Sequence, residues 1–289
     1  MTKNPRTARI LAPAALLAVT LLLSIVPPGT AAPLVAPRFL ELGKGPTIVL
    51  VHDMGGSRMV WMPTARKLIG RYHVVLVDVP GHGDSPLPDP FTLEAAAEAL
   101  DLVLAKQNPD STVIVGKGVG GMLSLLDLKA HPARARGLVL IDTGVKSPLK
   151  IDDQEITYFL RQLDANYDQI LKMIFARAGR DSAQGVIIHA TAAQTQPATI
   201  KQYLGASLTA DATPALKALQ VPLLFVATDR LYKGGRTTGT ALREIGYEDT
   251  TSIAVRRIHD AGFLVMQDQP DTLAAVIADF TTRTLAGRK

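Results

Sequence analysis

The chain has no cysteine among its 289 residues, which excludes a disulfide framework, a thiolate nucleophile and a lipid-modified cysteine. Aromatics are scarce, with seven Phe, six Tyr and one Trp. No basic run is interleaved with them, so nucleic acid is not an expected partner. The six histidines, His52, His73, His82, His131, His189 and His259, show no H-E-x-x-H or similar spacing. Neither a metal site nor a cofactor is therefore expected. Excess charge is also largely missing from the body of the chain: of the formal +5, three charges belong to Lys3, Arg6 and Arg9.

Those three cations precede an apolar run from Ile10 to Val26, interrupted at Pro13, and the small residues Gly29-Thr30-Ala31-Ala32 follow. This pattern is that of a secretory signal peptide over residues 1–32, cleaved near Ala31 or Ala32, and predicts an exported protein, periplasmic or secreted. An uncleaved anchor is the other reading, because the run approaches spanning length. It is the one membrane contact the sequence suggests.

What the chain has in quantity is apolar residues, 47% of the total, enough for one sizeable core. Continuous apolar runs recur at Thr47 to Val51, Val74 to Val77, Thr112 to Val115, Leu138 to Ile141, Leu223 to Val226 and Ser252 to Ile258. Short runs without alternation are expected of parallel strands buried on both faces. Arg38 to Glu41 is a candidate edge strand. Between the runs lie helical patterns such as Leu93, Ala96, Ala97, Leu100 and Leu104, and Leu273, Val276, Ile277 and Phe280. Alternating strands and helices predict an α/β fold with a doubly wound, mostly parallel sheet.

The alternation stops after Gly144. Ile156, Phe159, Leu160 and Leu163, then Tyr167, Ile170, Leu171, Ile174 and Phe175, have helical spacing with no strand between them, and Pro197 to Leu208 has it again. The expected organisation is a core over residues 33–144, an inserted helical lid over 145–213 and the rest of the core over 214–289. A lid would cover the carboxyl ends of the strands, where such sheets bind ligands; a helical excursion with no pocket beneath is the alternative.

The run Val113 to Gly121, V-I-V-G-K-G-V-G-G, leads a strand through glycines into an apolar helix expected from about Met122 to Ala130. His52-Asp53-Met54-Gly55-Gly56-Ser57 follows the first strong strand, Asp78-Val79-Pro80-Gly81-His82-Gly83-Asp84-Ser85 follows the next, and Gly262 to Pro270 ends in D-Q-P. Together these resemble the α/β-hydrolase fold family, in its lid-bearing, single-domain branch of esterase, lipase and peroxidase-like enzymes, whose patterns are H-G-x-G-G-S, D-x-P-G-x-G-x-S, G-x-S-x-G and G-H-F-x-M-x-D-Q-P. The resemblance covers nearly everything after the leader. Gly116 to Gly121 can be mistaken for a phosphate-binding loop, but the accompanying motifs speak against a dinucleotide site.

The resemblance places Gly118 at the nucleophile position and Phe263 at the base position. Neither can perform the role, because glycine offers no oxygen and phenylalanine no proton acceptor. Asp229, after the run Leu223 to Val226, matches the acid, with Asp142 as backup acid or turn residue. Asp229 is expected to pair with Arg230 or another base, or to stay solvated. His259, four residues before Phe263, is a possible substitute base or a solvated loop residue. His82 and Ser85 belong to their turn.

The resemblance also places the oxyanion donors on the amides of Val119 and Met54. A surviving donor pair suits a small-molecule ligand with a carbonyl or acyl group, and His52, Asp53, Met54, Lys117 and Val119 are the candidate ligand-binding residues. Asp53 stands where the family carries glycine, and can bring negative charge or strain to the place an oxyanion would take. Lys117 either neutralises Asp53 or extends from the surface. Two functions remain open at this level: a hydrolase-fold protein without Ser-His-Asp catalysis that binds such a ligand or a partner, and a hydrolase of small esters using displaced groups such as His259, His52 or Lys117.

Overall fold

The computed structural model describes residues 33–149, 152–248 and 253–287; the leader expected over residues 1–32 lies outside them. Seven strands, β1 (Phe39–Leu42), β2 (Thr47–Val51), β3 (His73–Val77), β4 (Thr112–Lys117), β5 (Gly137–Ile141), β6 (Leu223–Thr228) and β7 (Ala254–Ile258), form one sheet in the order β1-β3-β2-β4-β5-β6-β7. β1 runs antiparallel to β3, with Phe39 opposite Val77, and every other pairing is parallel. β2, β4 and β5 are buried along their whole length, as expected of central strands covered on both faces.

Helices α1 (Met62–Leu68), α2 (Leu93–Leu104) and α3 (Val119–Ala130) connect the first five strands. After β5 come α4 (Asp153–Ala165), α5 (Tyr167–Ala176), α6 (Ser182–Ala192), α7 (Pro197–Thr209) and the short α8 (Thr213–Lys217). The chain ends with α9 (Thr238–Glu244), α10 (Val265–Asp268) and α11 (Pro270–Ala286). Successive strand residues point to opposite faces, and the core divides accordingly. Ile48, Leu50, Val113 and Val115 pack with Leu68 of α1 and Leu273 and Ile277 of α11. Val49, Val51, Ile114 and Leu140 pack with Leu100 of α2 and Leu123 of α3.

Three local expectations change. β7 begins at Ala254 and is largely exposed, with Arg256 and Arg257 facing solvent, because it is the sheet edge and only one side has a partner strand. α3 begins at Val119, three residues before the expected start, directly at the turn after β4. α6 was not foreseen from periodicity. It buries Gly185 and Ile188 while Val186 and Ile187 are exposed, so no single apolar stripe marks it.

The helices after β5 rest on the loops at the carboxyl ends of β2 and β3. The Thr199 hydroxyl donates to the Gly81 carbonyl at 3.2 Å and the Tyr203 hydroxyl to the Pro80 carbonyl at 3.0 Å. Phe175 of α5 and Ala192 of α6 press so closely on Gly55 that a Cβ there would meet both within 2.9 Å. Among the described residues, no helix is long and apolar enough to cross a membrane.

Candidate functional site

β4 enters a sharp turn at Gly118, whose φ of 50° and ψ of −118° lie where L side chains are strained. The turn is close-packed: a Cβ on Gly116 would strike Gly121, and one on Gly120 would strike the His52 carbonyl. α3 starts at the next residue, so its first amide, on Val119, points into the space above the sheet.

That space is filled from the neighbouring loop. The Asp53 carboxylate lies against Gly118, where any Cβ would overlap all three of its carboxyl atoms. Its Oδ1 accepts from the Val119 amide at 2.9 Å and from the Met54 amide at 2.8 Å. These are the two donors that the family resemblance assigned to an oxyanion. The expectation of a free donor pair is therefore corrected: both N–H groups survive in position, and one side-chain oxygen of the same chain takes both. Asp53 thus occupies the space that a side chain at Gly118 would take and also holds both amides.

Lys117 completes the arrangement. It is 1% exposed, which corrects the surface reading, and its Nζ donates to Asp53 Oδ2 at 3.1 Å. Burial works to raise the Asp53 pKa, but the Lys117 charge and the Val119 and Lys117 hydrogen bonds outweigh it, so the carboxyl titrates below its ordinary value. Asp53 is ionised at neutral pH.

The ring of Phe263 lies on the other side of Lys117, with Nζ 4.0 Å from its centroid and the Arg230 guanidinium 5.0 Å away. Phe175 meets Phe263 edge-on at 6.2 Å and 86°. Phe263 thus offers an aromatic surface to two cations, which its quadrupole attracts. Arg230, one of the partners expected for Asp229, is directed here, and another base takes its place at Asp229.

Asp229 is held by Arg257, whose Nε and Nη2 donate to Oδ1 at 3.0 and 2.7 Å, while the Asp260 amide donates to Oδ2 at 2.9 Å. Its partial burial raises the pKa, and the Arg257 hydrogen bonds with the Asp260 amide bring it below the usual carboxylate value. His259 is 68% exposed, with Nδ1 3.6 Å from Asp229. Asp142, at φ 44°, accepts from the Thr228 amide at 2.9 Å and the Thr228 hydroxyl at 2.6 Å. It ties the ends of β5 and β6 together and is a turn residue, not an acid directed at a base.

His52 is corrected from ligand-binding to structural. Its Nδ1 donates to the Asp53 carbonyl at 2.7 Å and its Nε2 accepts from the Val79 amide at 2.9 Å. His82 reciprocates, its Nε2 accepting from the Gly55 amide at 3.0 Å. Each imidazole thus braces the loop that carries the other. Both must be neutral to accept, and burial holds His52 down to about 4 and His82 to about 3. Ser85 serves the same turn, its hydroxyl accepting from the Arg38 amide at 2.8 Å.

With this geometry in view, residues 48–276 match the model of the alpha/beta hydrolase family. The chain belongs to that family. It is 31% identical over 152 residues to a pimeloyl-[acyl-carrier protein] methyl ester esterase of Pseudoalteromonas atlantica, the match covering 50% of this chain and 57% of the esterase. Over a longer stretch of 264 residues it is 27% identical to the enzyme of the same name from Neisseria meningitidis, covering 83% of this chain and 80% of that one. Among solved structures, a bromoperoxidase from Bacillus anthracis superposes with a TM-score of 0.70 at 16% identity, covering 84% of this chain and 94% of the other. This last likeness concerns the fold alone.

Within this hydrolase frame a cavity of about 210 Å³ remains beside the turn, lined by Gly118, Val119, Met122, Leu93 and Ser207 with Gly144 and Lys146 to Pro148. Lys146, Ser147 and Pro148 also line a wider one of about 770 Å³, to which Arg230, Arg236 and Arg243 contribute. Of the candidate residues, the structure unites Asp53, Met54, Lys117, Val119, Gly118 and Phe263, and Asp229 forms a separate group with His259. Sequence reasoning did not assign Arg257, Leu93, Met122 or Lys146 to the site and placed Arg230 beside Asp229 alone. Met122 follows the glycine turn directly, whereas Leu93 of α2, Arg257 of β7 and Lys146 of the loop after β5 lie outside the motifs.

Proposed function

We propose that this chain is an exported α/β-hydrolase-fold protein that binds a small acyl or carbonyl compound and does not perform Ser-His-Asp hydrolysis. The observation that carries this reading is Asp53 Oδ1 seated on both the Met54 and Val119 amides. An acyl transfer needs those donors for the charge that develops on the substrate oxygen, and a carboxylate already there repels it. The ligand's place is the cavity beside Gly118 and Met122, whose apolar end suits a short acyl chain and whose Lys146 end suits a carbonyl or carboxylate. The leader with Lys3, Arg6 and Arg9 supports export, and the helices over residues 145–213 serve as the lid. The related esterases act on an acyl ester, and an acyl ligand class keeps that chemistry while dispensing with turnover.

The test is a pair of measurements on the mature protein: hydrolysis of short-chain p-nitrophenyl esters, and calorimetric binding of short-chain fatty acids. Binding without saturable hydrolysis is expected, weakened at least tenfold by Met122→Trp, which fills the cavity. Saturable hydrolysis, or acid binding indifferent to Met122→Trp, overturns the proposal.

A second reading, hydrolysis of small esters by displaced groups, draws on one contact, His259 Nδ1 at 3.6 Å from Asp229. His52 and Lys117 are committed to backbone and to Asp53. Under this reading, turnover exists and His259→Ala abolishes it.

A further inference from the structure

On the sheet face covered by α2 and α3, the two helices bring together Glu98 and Asp101 from one and Asp127 and His131 from the other. Glu98 and Asp101 are three apart on α2, and Asp127 and His131 are four apart at the end of α3, so each pair shares a helix face. A ligating atom from each of Asp101, Asp127 and His131 lies within 4.8 Å of the other two. The Glu98 carboxylate meets His131 Nε2 at 3.3 Å.

Asp127 is the anomaly in this group. It is 1% exposed, and neither of its carboxyl oxygens has a hydrogen-bond donor. An isolated buried carboxylate costs several kcal/mol unless a proton, a cation or donors neutralise it. Arg134 is already engaged, its Nη2 on Asp101 Oδ2 at 2.9 Å and its Nε on the other oxygen. Asp101, Asp127 and Glu98 therefore share one guanidinium, and a cation among them would supply the neutralisation that Asp127 lacks.

We propose that Asp101, Asp127 and His131 form a binding site for a divalent transition-metal cation of the zinc type, with Glu98 at its rim. An imidazole nitrogen beside carboxylate oxygens favours zinc over the all-oxygen sets of magnesium and calcium. Arg134 does not exhaust Asp101, since a carboxylate has about four lone-pair positions. Next to Glu98, a cavity of about 170 Å³ between α2 and α3 is lined by Glu94, Glu98, Leu126 and Lys129. The site was invisible to histidine spacing because its ligands come from two helices, and only one is a histidine. A cation there would join α2 to the far end of α3, the helix whose first amide holds Asp53.

The rival reading is that a proton shared between Asp127 and Asp101 is the permanent occupant. Calorimetric titration of the chelator-treated full chain with zinc chloride separates the two. The expected result is one zinc per chain and affinity at least tenfold lower in both His131→Ala and Asp127→Asn, with magnesium chloride producing no comparable binding. His131 is partly exposed, so its replacement leaves folding intact should Asp127→Asn disturb it. Absence of zinc binding by the wild type, or zinc binding unchanged in His131→Ala, overturns the proposal.

Discussion

The ammonium of Lys117 and the carboxylate of Asp53 meet at 3.1 Å in a site where their side chains are 1% and 15% exposed. Sixty-four positions of sequence separate them, and the pair closes over the turn at Gly118. Buried pairs gain little over apolar replacements of the same shape, but removing one partner strands the other.

Lys117→Met is therefore expected to lower stability by about 3 kcal/mol, because it leaves the Asp53 charge with backbone donors only. Asp53→Asn is expected to cost less, since the amide oxygen can still accept from Val119 and Met54. The double variant is expected to recover part of the loss, giving a non-additive cycle in urea unfolding. Additive losses would mean that the two groups are not coupled.

Acid should weaken the fold through His52 and His82. Their folded pKa values, about 4 and about 3, lie below the ordinary 6.5. Between pH 6.5 and those values the unfolded chain binds more protons than the folded one, so stability falls as pH falls, by about 3 kcal/mol for His52. Asp53 acts at lower pH, its stabilisation being present above the ordinary carboxylate pKa and lost as pH drops through its depressed folded value. Melting temperatures across pH 7.5 to 4 should decline, and His82→Gln should flatten part of that slope while lowering stability at pH 7.

Phe263→Leu preserves most of the apolar burial and removes the ring shared by Lys117 and Arg230. A loss of about 1 to 2 kcal/mol is expected, of which roughly half belongs to each cation. In an Arg230→Gln background the same substitution should cost less. An unchanged cost would show that the ring acts by packing alone.

The sheet was legible because Thr47 to Val51, Thr112 to Val115 and Leu138 to Ile141 are continuous apolar runs that can only be buried on both faces. α6 was not, since Val186 and Ile187 are exposed beside buried Ile188. At the site, motif positions located Gly118, Phe263, Asp53, Met54 and Val119. What they did not show was which side chain fills which space. The signal was present in volume: against the patterns the resemblance supplies, Gly118 has no side chain where serine is usual and Asp53 has one where glycine is usual, in two loops that the fold brings together. Lys117 was ambiguous because a long amphipathic chain next to a turn fits either solvent or a buried partner. The Asp101, Asp127 and His131 group lay outside any motif, and only the packing of α2 on α3 assembles it.

The central claim is that Asp53 occupies the space of the nucleophile and of the oxyanion. It is tested most directly by rebuilding the missing groups with and without Asp53, and assaying short-chain p-nitrophenyl ester hydrolysis. Gly118→Ser with Phe263→His should remain silent, because the new side chain meets the Asp53 carboxylate and the Val119 and Met54 amides stay occupied. Adding Asp53→Gly should release both the space and the donors and give saturable turnover. Equal activity with and without Asp53→Gly would contradict the account.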